Sequence, residues 1–233
     1  TEPWADTLRW CLSPYAFPWV LLQERRYEEA IQFLLHEGPW KQTTFLAKTH
    51  LQMPFTPAKN EREWPPEVHD LLAEAYLEQG KVLAVSREIS NALEAWIAGL
   101  THVRVKTGIR DRIKQEAEDA GIREAMRLLH SEDKDSLDNA ICLLEKLQDL
   151  VDTPRVKDNL SDLKTTKAVQ IFNDESLKLK KRIGRAKDLL ENARSLSPQN
   201  GRAVENLASI LAIEGSELFF KSQSKQNGLN TAR

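Results

Sequence analysis

Apolar residues recur at three- and four-residue steps along most of this chain, the spacing of one face of a helix. Val20, Leu21, Tyr27, Ala30, Ile31, Leu34 and Leu35 predict a helix over 19–37, ended by Gly38-Pro39. Residues 41–52 predict a short helix around Phe45, Leu46 and Leu51. Pro54, Pro57, Pro65 and Pro66 then break any regular element, so 53–66 reads as a loop. Its Phe55 and Trp64 imply that it packs down. From Glu67 the helical period returns. Leu72, Ala73, Tyr76 and Gly80 mark a helix within 69–81, and a second helix is expected from Val82 to Leu100 with Val85, Ile89, Ala92 and Trp96 on one face. Residues 99–108 alternate at Val103 and Val105 like a strand. A lone strand has nowhere to pair, so they read as a connector between two lobes. Helices are expected again over 109–131, with Gly121 as a weak point, and from Leu137 to Val151, with Asp135 or Ser136 as cap.

The C-terminal half repeats itself. DNAICLLEKLQDL (138–150) aligns with GRAKDLLENARSL (184–196) at an offset of 46. RVKDNLSDLKTTKAVQIF (155–172) aligns with RAVENLASILAIEGSELF (202–219) at an offset of 47. The extra residue falls in a turn, where insertions cost least. A repeated unit of this kind buries its apolar face on the next copy.

The stretch 185–215 carries Ala186, Leu190 and Ala193 before Ser197-Pro198-Gln199-Asn200-Gly201, and Ala203, Leu207, Leu211 and Gly215 after it. This resembles the junction between two tetratricopeptide repeats. The segment 69–81 is similar to the first helix of such a repeat. Arg25-Arg26-Tyr27-Glu28-Glu29-Ala30 resembles the family's Gly-x-Tyr-x-x-Ala opening of the second helix, with Arg25 where the glycine would stand. The resemblance also takes in 138–172. It implies an all-α fold of stacked antiparallel helical hairpins, a right-handed α–α array. The period exceeds the 34 residues of the family, with the excess in 173–182, so irregular connections are expected. Three regions follow: an aromatic-rich N-terminal helical lobe (1–108), a helical-repeat lobe (109–222) and a polar tail (223–233) that is expected to fray.

Composition changes this picture little. The chain is 41% hydrophobic and 29% charged, with 9 glycines and 10 prolines in 233 residues, which favours long helices over a turn-rich sheet. A net charge of −2 gives no general attraction for nucleic acid. Cys11 and Cys142 are far apart and make neither a disulfide framework nor a metal pair, which suits a reducing cytoplasm. No apolar run approaches the roughly 18 residues that span a bilayer, and no secretory signal opens the chain. The only methionines are Met53 and Met126, so a processed chain or a piece of a longer one is expected.

Candidate chemistry is sparse. His36, His50, His69, His102 and His130 show no metal-ligand spacing, and a Cys11–His36 pair needs a coincidence of folding. Phosphate-binding glycine loops, Gly-x-Ser-x-Gly and EF-hand patterns are lacking. No metal, cofactor or catalytic residue is assigned. The one repeated polar motif is Arg-x-x-x-Asn, at Arg155/Asn159 and Arg202/Asn206. Tetratricopeptide proteins that bind C-terminal peptides use similar pairs to clamp a carboxylate. Common repeat residues and solvated first-turn charges account for the same letters. Lys178, Lys180, Lys181, Arg182, Arg185 and Lys187 form a basic cluster, readable as a solvated helix face or as a patch for an acidic partner or phosphate backbone. Of the tryptophans, Trp19, Trp40 and Trp96 are expected to fill gaps between helices, while Trp4 and Trp10 cap the core or anchor a partner.

The expectation is a non-catalytic adaptor or scaffold that binds a peptide or protein segment through Asp70, Glu74, Arg155, Asn159, Arg202, Asn206 and Ser209. The alternatives are a regulatory helical domain of a larger complex, and a nucleic-acid-binding array using 178–187. A cytoplasmic location without membrane contact goes with all three.

Overall fold

A computed structural model of the chain describes residues 16–37, 64, 66–131, 133 and 135–231. The expected helix at 41–52, the loop around Phe55, and Trp4, Trp10, Cys11, Trp40 and His50 lie outside these residues. Among the described residues the chain is helical and contains no strand. It divides into two compact units, Thr1–Ala120 and Gly121–Arg233. The division falls inside a helix, Thr107–Leu129, and not in the expected connector at 99–108.

The first unit contains α1 (Ala16–Gln23), α2 (Tyr27–Gln32, continued by a π-turn at Phe33–Glu37), α3 (Pro66–Val85), α4 (Ile89–His102) and the start of α5 (Thr107–Leu129). Leu21, Leu22, Ala30, Ile31, Leu34, Trp64, Val68 and Leu72 form one apolar core from α1, α2 and α3. Trp64 packs down as its sequence context implied. Trp96 is fully buried, the gap-filling role expected of it. Trp19 does not share that role: it is 54% exposed. Pro18, Leu21 and Leu22 form the inward face of α1, which turns Trp19 and Val20 outward.

Two helical turns of this unit share one conformation. Arg25 and Arg87 take left-handed backbone angles, with φ of 61° and 66°. The Arg25 N–H donates to the Leu22 carbonyl and the Arg26 N–H to the Leu21 carbonyl, at 3.1 and 2.9 Å. The Arg87 and Glu88 N–H groups bond the Ala84 and Leu83 carbonyls at the same distances, 3.1 and 2.9 Å. This double bond is the Schellman ending of a helix, which satisfies carbonyls that have no partner within it. The next helix starts directly after each turn. The flanking residues match as well: Ala30 and Ala92 are fully buried, and so are Leu34 and Trp96.

The turn at 86–88 corrects the expected division of this region. α3 runs through Gly80 to Val85, and α4 begins only at Ile89. Val85 does not share a face with Ala92 and Trp96; it is 86% exposed. Gly80 is no helix stop. It lies buried in mid-helix under the Trp96 indole, and a methyl group there would overlap the ring. The Trp96 indole N–H donates to the Leu77 carbonyl at 3.2 Å, so the buried ring keeps its polar atom satisfied.

The second unit holds the end of α5, then α6 (Ser136–Leu150), α7 (Pro154–Asn173), α8 (Leu179–Leu196) and α9 (Gly201–Thr231). Burial follows the internal repeat. Ala140 and Ala186 are fully buried, as are Leu144 with Leu190, Leu147 with Ala193, and Val156 with Ala203. Leu163 and its counterpart Ile210 are buried as well. Gly121 sits in mid-helix close to the Leu147 side chain, so here a glycine admits a neighbour and does not end a helix. Thr153 caps α7 by accepting from the Val156 N–H at 3.3 Å, with Pro154 in the first turn. Asp135 stands at the start of α6 without a side-chain cap bond, and Ser136 already belongs to the helix. The expected polar tail is helical through Thr231, since no proline interrupts the backbone ladder after Phe220.

Candidate functional site

The turn that joins α8 to α9 is tied to α7. Asn200 accepts from the Ala203 N–H at 3.2 Å, capping α9, and its amide donates to Ser161 Oγ at 2.8 Å and Asp162 Oδ1 at 3.1 Å. Ser161 donates in turn to the Ala193 carbonyl at 2.8 Å. Lys164 on α7 reaches Glu145 on α6 at 2.7 Å and Asn192 on α8 at 2.8 Å, so one largely buried ammonium links three helices. Beside the turn lies a cleft of about 510 Å³ lined by Asp158, Asp162, Ser197, Asn200, Arg202 and Glu205 among others.

Arg202 therefore faces a cleft that already holds three carboxylates, and an incoming carboxylate would meet net negative charge. Neither Asn206 nor the Arg155/Asn159 pair lines this cleft. Asn159 donates to the Arg155 carbonyl at 2.8 Å, and Ser209 to the Glu205 carbonyl at 3.0 Å, both within their own helices. Asn206 is half-buried on α9. The structure thus does not bring the two Arg-x-x-x-Asn pairs together in this cleft.

Asp70 has another task. It is buried, and its carboxylate accepts the N–H groups of Arg104, Val105 and Lys106 at 3.0, 3.2 and 3.1 Å. It fixes the connector between α4 and α5 and is not presented to a partner. Glu74, one turn further along α3, is half-buried. The basic cluster is divided. Arg182 donates to the Phe172 carbonyl at 3.1 Å, and Lys187 pairs with Glu214 at 3.2 Å. Lys178, Lys180, Lys181 and Arg185 are exposed around the start of α8.

The larger cleft lies in the first unit, about 750 Å³ and open to solvent. α1 supplies Phe17 and Leu21, α2 supplies Tyr27, Glu28, Glu29 and Gln32, the π-turn supplies Phe33, and α3 supplies Gln79, Val82 and Leu83. Phe17 and Phe33 meet edge to face with centroids 4.8 Å apart. Arg25 and Arg26 of the left-handed turn stand at the rim. Arg26 binds Glu29 through two parallel bonds of 2.8 and 2.6 Å and Glu24 through a third of 3.0 Å. These carboxylates raise the guanidinium pKa above its ordinary value, chiefly through the Glu29 hydrogen bonds. Arg26 and Glu29 are thereby paired with each other, while Val82 remains 50% exposed.

Comparison with protein-family models, with curated proteins and with solved structures gives no match.

One cluster escaped the sequence reading. His69 and His102 bring their Nδ1 atoms to 3.2 Å, and the rings of Trp64, His69, His102 and Tyr76 follow one another at centroid distances of 5.8, 5.5 and 6.0 Å. A separation of 33 residues hides the pair from any local motif. Among the described residues no group of three histidine, cysteine or acidic side chains is placed to hold a metal ion. No described helix is long and apolar enough to cross a membrane.

Proposed function

We propose that the chain is a non-catalytic interaction module, an array of tetratricopeptide-like helical hairpins that binds a peptide or protein segment. The observation that carries this reading is the open cleft between α1, α2 and α3. Phe17, Leu21, Phe33, Val82 and Leu83 line it beside charged and amide side chains, Arg26 and Glu29 at its rim are already paired, and Val82 on its α3 wall stays half in water. Such a surface offers apolar burial to an incoming segment and little charge to select for nucleic acid. Trp19, Val20 and Val85 add exposed apolar area on the same helices. The Arg26–Glu29 pair supplies a fixed polar edge that sets the orientation of what binds.

The test is capture of partners by the full chain and by Val82→Glu, with thermal unfolding in parallel. Val82→Glu leaves unfolding unchanged and loses the partners. Partners retained by that variant place binding elsewhere and overturn this assignment.

A further inference from the structure

We infer that two copies of this chain associate through the outer face of α9, antiparallel about a twofold axis. This surface shares no residue with the cleft of the first unit. On α7, Ser161, Lys164, Thr165 and Ala168 are buried, and the first two bond directly to α8. At the repeat offset of 47 their counterparts on α9 are Ala208, Leu211, Ala212 and Gly215, all exposed. Polarity runs against exposure here. The covered face of α7 carries serine, lysine and threonine, while the uncovered face of α9 carries alanine, leucine and alanine. A face turned to water gains nothing from that exchange, whereas a face that meets an apolar surface does.

The occupant follows from the order of side chains. Val204, Ala208, Leu211, Gly215 and Leu218 succeed one another at alternating four- and three-residue steps, the spacing of a helix–helix seam. Large and small residues alternate along it, and Leu211 and Leu218 are 44% and 63% exposed. An antiparallel copy fits this stripe. Ala208 then faces Leu218 of the partner subunit, and Leu211 faces Gly215 of the partner subunit. Each contact occurs twice, as a twofold interface requires. Small residues opposite large ones let the two helices approach closely along the whole seam.

Sedimentation of the full chain at tens of micromolar is expected to give twice the monomer mass. Leu211→Glu, and Leu211→Lys with the residue that α7 carries at this point, return the monomer with unchanged helical circular dichroism. Val82→Glu remains dimeric, so failure here is distinct from failure of the cleft. Direction is tested with Cys11 and Cys142 both changed to serine. Ala208→Cys and Leu218→Cys chains form a disulfide when mixed and oxidised, and neither does so alone. A monomeric parent, a dimer that survives both Leu211 variants, or single-cysteine chains that cross-link to themselves each overturn the proposal.

Discussion

Trp96 of α4 rests where a side chain at Gly80 of α3 would stand. The Cβ of an alanine at this position would overlap the indole, which is itself fully buried and hydrogen-bonded to the Leu77 carbonyl. The closeness of α3 and α4 therefore depends on a missing side chain.

Gly80→Ala is expected to destabilise the first unit by about 1–3 kcal/mol through overpacking, despite the helix propensity gained. Gly184 in α8 has open space around its Cβ position, so Gly184→Ala should stabilise by up to about 1 kcal/mol. Urea unfolding of both variants measures the contrast. Equal shifts of the same sign would remove the packing argument.

Arg25 and Arg87 hold left-handed backbone angles that cost a side-chain-bearing residue roughly 1 kcal/mol or more. Arg25→Gly and Arg87→Gly should each raise stability by about 1 kcal/mol, whereas Arg87→Ala should not. If alanine and glycine behave alike at 87 in thermal melts, the strain is not there.

Asp70→Ala leaves three backbone N–H groups without their acceptor and should cost about 1.5–3 kcal/mol. Amide exchange at Arg104, Val105 and Lys106 should accelerate, and Asp70→Asn, which keeps one acceptor oxygen, should lose less. Partner binding that falls while exchange at these amides stays slow would return Asp70 to the list of binding residues.

Asp174 accepts from the Ser176 hydroxyl at 2.6 Å and from its N–H at 3.0 Å, which holds the carboxyl pKa below its ordinary value, with Arg182 adding a smaller electrostatic pull. A carboxyl group lowered in the folded state stabilises above its unfolded pKa and loses that contribution as pH falls through the folded pKa. The turn between α7 and α8 should therefore stay intact through the ordinary aspartate range and loosen only below it. Carbon NMR titration of Asp174 should show the low midpoint, and Ser176→Ala should move it upward. An unchanged midpoint in that variant would assign the shift to another cause.

Helices were legible in the sequence wherever apolar residues kept the three- and four-residue step, and the repeated Ala and Leu positions of α6 and α8 are buried in pairs. Turns were harder to read. Glycine and proline are the usual punctuation, but the turn at 86–88 uses Arg87, and Gly80 lies in mid-helix because a ring needs its space. The likeness of 21–34 to 83–96, with arginine at both left-handed positions, carries no glycine to mark it as a turn. Side-chain roles that join distant segments were hidden. Asp70 reads as an exposed acid until the backbone it holds is seen, and the meeting of His69 with His102 has no local signature. A tryptophan suggests burial, but at Trp19 the inward face of α1 is already filled by Pro18, Leu21 and Leu22.

The bonds to Asp70 also close a ring in the chain. The amides it holds lie 34 to 36 residues further along the chain, and most of the α3–α4 hairpin lies between. They reach the carboxylate because α4 folds back along α3. Closing this ring from within a finished hairpin costs far less chain entropy than closing it from an open coil. α5 thus takes its fixed starting point from the α3–α4 hairpin that precedes it.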